Sequence, residues 1–339
     1  MRLDYNVLCI DDDIESLADY KRQLAGFNLS VGIETNFSDV WVRPTARETN
    51  PEPYKQRIFE EIRSRFASTQ FDLIMVDLHL GAADSEMGFK GHEIIQFIRD
   101  SQTMYRPIVF YSGGEPEGDG VAIGQLQDDI QDNGLVGKCI FLSSRGAELN
   151  KDLIGICREM HAEEHKLNAS RGLLMDRSSE LDAKVLKHLR NKEVWSDFPD
   201  SKATKLQREI LSELRRQRKN ALRKACKMRE LESAGVPEFI DWFCGSDAEE
   251  VIKTLDSFGR NTLLRELLRV HPEKQENGVT HSAYFKTVGG QRPLSDIRNE
   301  YAHQTEAEIG ASHNDERCKF IRDELRKHLR NMEVVAGNI

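Results

Sequence analysis

The chain has 339 residues and a formal net charge of -9; 39% of its residues are hydrophobic and 31% are charged. That length is about twice an ordinary domain, so two folding units are expected rather than one core. No apolar run approaches the roughly 18 residues of a spanning helix. The start, MRLDYNVLCIDDD, has no basic stretch followed by an apolar one, so a cytoplasmic protein with no membrane partner is expected. Cys9, Cys139, Cys157, Cys226, Cys244 and Cys318 are scattered without a C-x-x-C pair, which predicts buried thiols rather than a disulfide framework or a zinc site.

Along the first half, short apolar runs end in polar groups. Residues 6–10 (NVLCI) read as a buried strand and stop at Asp11-Asp12-Asp13, residues 71–76 stop at Asp77, and residues 107–111 stop at Ser112-Gly113-Gly114. Helical patterns fall between them at 14–24, 54–66 and 92–99; a further helix is expected near 121–130 and a fourth strand at 138–142. Strands alternating with helices predict an α/β domain built on a doubly wound parallel sheet, with its ligand crevice beyond the carboxyl ends of the strands. Carboxylates gathered at that rim repel one another unless a cation neutralises them. Magnesium suits such a place, because it takes a few carboxylates, keeps several waters and accepts a phosphate oxygen.

These residues resemble the receiver domain of two-component response regulators, a flavodoxin-like fold, over about residues 1–148. The resemblance implies that Asp77 is the phosphoacceptor, that Asp11, Asp12 and Asp77 with the His79 carbonyl hold Mg2+, and that Ser112 is the switch hydroxyl. It also implies a histidine kinase or another phosphodonor as partner. Segments 46–69 and 81–91 are longer than the family's and read as surface insertions. The family's lysine after the last strand is missing, since Leu142 is followed by Ser143-Ser144-Arg145. Either Arg145 supplies that cation, or Lys138 at the start of the strand reaches in from a different register, or phosphorylation-dependent switching is weakened.

The second half differs in charge. Residues 1–150 carry 25 acidic against 14 basic side chains, whereas residues 151–339 carry 32 against 34. Residues 149–192 read as a connecting helix in which Leu153, Met160, Leu167, Leu174 and Leu181 recur every seven positions. Glu163, Ser170 and Arg177 occupy the companion positions and Gly172 interrupts the run, so packing on neighbouring helices is expected rather than a coiled coil. His161 to His165 formally fits the H-x-x-E-H metalloprotease pattern, but no further ligand is marked and a solvated helix face is expected. Residues 202–229 hold eleven Lys/Arg and two acids, with Leu206, Ile210, Leu214, Leu222 and Met228 at helical spacing. An amphipathic helix of this kind is either a solvated basic face or a surface that tracks phosphates.

Helical runs near 202–232, 237–243, 248–258, 261–270 and 316–335, with a loop at 272–290, predict an all-helical bundle over residues 193–339. Within it, Leu294 to His303 reads LSDIRNEYAH. In one regular helix Arg298 and His303 point about 140° apart, so a shared phosphate requires a helix pair, a dimer or a local irregularity. The segment resembles the R-x4-6-H motif of HEPN domains, helical bundles that include many metal-independent ribonucleases. The resemblance implies that His303 is the general acid/base for attack of a ribose 2′-OH on the adjacent phosphodiester. It also implies that Arg298 holds the phosphate, that Asn299 orients both, and that two protomers face each other. Together the two resemblances imply a phosphorylation-controlled ribonuclease acting on RNA such as tRNA, as a homodimer, in stress or phage defence. The alternative is a phosphorelay adaptor whose HEPN bundle only dimerises.

Overall fold

The computed structural model describes residues 2–44, 51–80, 89–101, 106–112, 124, 127–128, 130–135, 139–196, 200–217, 233–245, 259–260, 263 and 294–337. The chain divides into two compact units, Met1–Lys166 and Leu167–Ile339.

In the first unit, β1 (Asp4–Asp11), β2 (Glu34–Trp41), β3 (Leu73–Asp77), β4 (Ile108–Ser112) and β5 (Ile140–Ser144) form one sheet in the order β2-β1-β3-β4-β5. Every pairing is parallel. This is the doubly wound order in which the winding direction reverses between β1 and β3, so a crevice opens at their carboxyl ends. The three expected strands at 6–10, 71–76 and 107–111 are β1, β3 and β4. Their residues are buried almost throughout because helices cover both faces. On one face, α2 (Pro51–Ser68) and α3 (Gly91–Ser101) bury Tyr54, Ile58, Ile62, Ile94, Ile95 and Ile98 against Leu8, Ile10, Val76 and Phe110. On the other, α1 (Ala18–Ser30) and α4 (Ala147–Glu164) bury Leu24, Leu149, Leu153 and Cys157 against Tyr5, Val7, Cys9, Met75 and Tyr111.

Several expectations change. The strand β2 has no counterpart in the sequence reading: as an edge strand of mixed polarity, ETNFSDVW lacks the apolar run that marked the others. Segment 46–69, read as a surface insertion, supplies α2, whose Tyr54, Ile58 and Ile62 are fully buried. The connecting helix expected over 149–192 is two helices. The first, α4, is counted with the sheet, and the second, α5 (Leu167–Leu189), opens the helical unit. His161 lies in the core instead of on a solvated face, with its ring stacked on Phe27 at 5.6 Å and edge-on to Tyr5 at 6.0 Å. Cys9, Cys157 and Cys318 are buried, but Cys139 is exposed.

The second unit is helical throughout its described residues: α5, α6 (Lys192–Ser196), α7 (Asp200–Gln217), α8 (Val236–Cys244), α9 (Leu294–His303), α10 (Glu306–Ile309) and α11 (Asp315–Gly337), with one short 3-10 turn (Gly310–Ser312). Helices α5 and α11 pack together, and α9 lies on both. In α7, Leu206, Ile210 and Leu214 are buried while Lys205 and Arg208 are exposed, as the amphipathic pattern requires. Residues 218–229 of the basic run lie outside the described residues, as do the predicted helix at 248–258, the loop at 272–290, most of the helices expected at 121–130 and 261–270, and Lys138. Among the described residues no helix is long and apolar enough to cross a membrane.

Candidate functional site

Asp11 is the last residue of β1 and Asp77 the last of β3, so neighbouring parallel strands deliver two carboxylates to the same rim. Asp12 follows directly. One ligand oxygen from each of the three lies within 4.8 Å of the others. Asp11 is fully buried, Asp77 is 5% exposed and Asp12 is half-buried. At such a separation two carboxylates repel by roughly 3 to 4 kcal/mol at an effective dielectric of about 20.

Arg145 offsets that repulsion. It follows β5 directly, and its Nη2 donates to Asp11 Oδ2 at 2.5 Å and to Asp77 Oδ2 at 2.9 Å. Its Nη1 donates to Ser16 Oγ at 2.8 Å, and its backbone N–H donates to the Ser112 carbonyl at 2.9 Å. Burial works against the guanidinium's charge, but Asp77 and then Asp11 outweigh it and hold its pKa above the ordinary arginine value. The next residue, Gly146, has φ 109, a conformation that only glycine adopts readily, and it turns the chain from Arg145 into α4. A second guanidinium lies against Asp12 and Asp13. Arg43, beyond β2, donates through Nε to the Asp12 carbonyl, and its Nη2 is 3.7 Å from Asp13.

Two further residues shape the rim. Tyr111 is fully buried and donates its hydroxyl to Asp11 Oδ2 at 2.5 Å. Burial first, and then the charges of Asp11 and Asp77, push its pKa well above the usual tyrosine range, so it remains a donor. Gly91 begins α3 where a Cβ would lie 2.1 Å from the Asp77 carbonyl oxygen and 2.6 Å from Phe110 Cε2. Only a residue without a side chain lets α3 approach the end of β3 this closely. Neither Tyr111 nor Gly91 was marked in the sequence as part of the site. Tyr111 read only as the last apolar residue of a strand.

Of the other expected site residues, Ser112 is buried one residue past Tyr111 and pairs in register with Ser144. His79 lies two residues beyond Asp77, in a short antiparallel pair with Lys90. The acid set fits a small hard cation. An octahedral site at about 2.1 Å places its ligand oxygens about 3 to 4.2 Å apart, a range compatible with acids that all lie within 4.8 Å of one another. Asp11, Asp12, Asp13 and Asp77 bring four negative charges and Arg43 and Arg145 return two, which leaves the balance that one divalent ion neutralises.

The R-x4-H residues sit in α9. Ile297, Glu300 and Tyr301 face inward: Glu300 pairs with Arg317 at 3.0 Å, and the Tyr301 hydroxyl is hydrogen-bonded to His313 Nδ1 at 2.8 Å. Arg171 of α5 caps the helix by donating to the Gln304 carbonyl at 2.5 Å. Asn299 and His303 are exposed and Arg298 is half-buried. One regular helix holds all three, so Arg298 and His303 diverge by about 140° and do not share a face.

Compared with protein-family models, with curated proteins and with solved structures, the chain has no match.

Proposed function

We propose that this chain is a response-regulator-like signalling protein that accepts a phosphoryl group on Asp77 and thereby controls a HEPN-type, metal-independent ribonuclease. The observation that carries the reading is the meeting of Asp11, Asp12 and Asp77 within 4.8 Å at the carboxyl rim of a parallel sheet, with Arg145 against two of them. In the transfer step a carboxylate oxygen of Asp77 attacks the phosphorus of a phosphoramidate or acyl phosphate. The bond to the donor's nitrogen or oxygen breaks, and the leaving group departs with that electron pair and takes up a proton. Arg145 stabilises the charge that builds on the phosphoryl oxygens, and Ser112 offers a hydroxyl one strand away. Asp11, Asp12 and Asp77, with the His79 carbonyl, would hold Mg2+, which when bound neutralises charge on the transferring group.

In the helical unit, His303 removes the proton of a ribose 2′-OH, whose oxygen attacks the adjacent phosphorus. The 5′-oxygen leaves protonated, and a 2′,3′-cyclic phosphate remains. Arg298 binds the phosphate and Asn299 orients the pair. Because Arg298 and His303 do not share a face, the working site combines residues of two protomers. The same divergence also favours a second reading, in which the bundle is a dimerisation surface in a phosphorelay and cuts nothing.

Two experiments test the halves separately. A small phosphodonor with magnesium adds one phosphate to the wild type and none to Asp77→Asn; an unmodified wild type removes the phosphoacceptor role. Labelled tRNA is cleaved by the wild type and spared by His303→Ala; equal background nicking by both leaves the adaptor reading.

A further inference from the structure

Arg145 occupies carboxylates that a divalent cation at this rim would take. A single nitrogen, Nη2, already bridges Asp11 Oδ2 at 2.5 Å and Asp77 Oδ2 at 2.9 Å, two of the three carboxylates that such an ion would take. Asp11 has little acceptor capacity left. Its Oδ2 also receives the Tyr111 hydroxyl at 2.5 Å, its Oδ1 receives the Asp13 N–H at 2.6 Å, and the residue is fully buried.

We propose that Arg145 is a built-in cation that competes with the divalent ion for Asp11 and Asp77, and that a phosphoryl group on Asp77 relieves the competition by drawing the guanidinium off Asp11. The second clause rests on the phosphoacceptor reading of Asp77. Two positive centres cannot share the Asp11 carboxylate at contact distance without strong mutual repulsion, so ion entry requires the guanidinium to move. A phosphoryl group supplies the destination. It brings further negative charge and oxygens that match the guanidinium fork better than one shared carboxylate oxygen does. The Arg145 backbone stays fixed by its bond to the Ser112 carbonyl, so only the side chain has to swing. In the resting state Arg145 thus offsets part of the rim's charge from within, and the ion is admitted fully only together with the modification.

Magnesium chloride titrated into the full-length chain in a calorimeter tests the competition without reference to activity. Arg145→Gln binds the ion at least about tenfold more tightly than the wild type, as removal of a neighbouring like charge requires. Arg145→Lys, which keeps a charge but loses the planar fork, falls between them. Arg145→Gln also melts at a lower temperature without the ion and gains more from its addition than the wild type does. Should Arg145→Gln and Arg145→Lys both bind magnesium no more tightly than the wild type, the competition is overturned, while phosphate uptake by the wild type still upholds the Asp77 reading. A wild type that takes no phosphate, beside a tighter-binding Arg145→Gln, keeps the competition and overturns the phosphoryl-driven release.

Discussion

The Tyr111 hydroxyl reaches Asp11 Oδ2 at 2.5 Å across β3, the strand that separates β4 from β1. The bond ties together two strands that share no backbone pairing, and it fixes the carboxylate that Arg145 also grips. Tyr111→Phe keeps the ring and removes only the donor. The loss of a buried hydrogen bond to a charged acceptor costs about 1.5 to 3 kcal/mol. Urea unfolding of the full chain should show that loss in the transition of the sheet unit, and the transition of the helical unit should not move.

Gly91 gives a sharper result. A methyl group at this position would overlap the Asp77 carbonyl at 2.1 Å, and neither backbone can yield cheaply. Gly91→Ala is expected to cost at least about 3 kcal/mol and to displace Asp77. The readout is a lowered melting temperature together with loss of phosphate uptake from a small phosphodonor.

His328, on α11, brings acid sensitivity to the helical unit. Burial, with a smaller contribution from the charge of Lys327, lowers its pKa from 6.5 to about 4. Glu324 sits 4.0 Å away but is engaged by Lys327 at 2.8 Å, and desolvation dominates. Because the folded pKa lies below the unfolded one, this group's contribution is complete above about pH 6.5. It falls away as the pH drops toward 4, by on the order of 3 kcal/mol. Denaturation at pH 7 and pH 5 should show a loss in the wild type that is smaller in His328→Gln.

A chelator separates the two proposed activities. With EDTA present, phosphate uptake on Asp77 is expected to stop, because the incoming phosphoryl group then lacks the divalent ion that would neutralise its charge. With no phosphodonor present, RNA cleavage through His303 is expected to run at the same rate with and without EDTA, since imidazole chemistry needs no ion. Gel assays of labelled tRNA without phosphodonor and intact-mass measurements with it check the two halves.

Much of the sheet unit was legible because its three inner strands are buried on both faces and so read as unbroken apolar runs ending in Asp11, Asp77 and Ser112. The edge strand β2 was not, since Thr35, Asn36 and Asp39 follow no apolar pattern. Arg145 stood first among the open alternatives for the missing lysine, and the structure places its guanidinium on Asp11 and Asp77. Tyr111 escaped notice for a physical reason: a tyrosine closing an apolar run is ordinary core, and only the sheet order shows that its hydroxyl arrives at a carboxylate one hundred residues earlier. The break after Glu164 was hidden by the seven-residue leucine spacing, which continues through the helix boundary in sequence although the helix itself does not.

The position of Arg145 at the root of α4 has a mechanical corollary. Only Gly146 separates the guanidinium-bearing residue from an 18-residue rod that ends at Glu164, just before the chain enters its second unit. A rod of that size is about 27 Å long, and a tilt of about 5° at its base sweeps its tip by about 2 Å. The bond from the Arg145 N–H to the Ser112 carbonyl, which anchors the base of the rod, is therefore what keeps its far end in place.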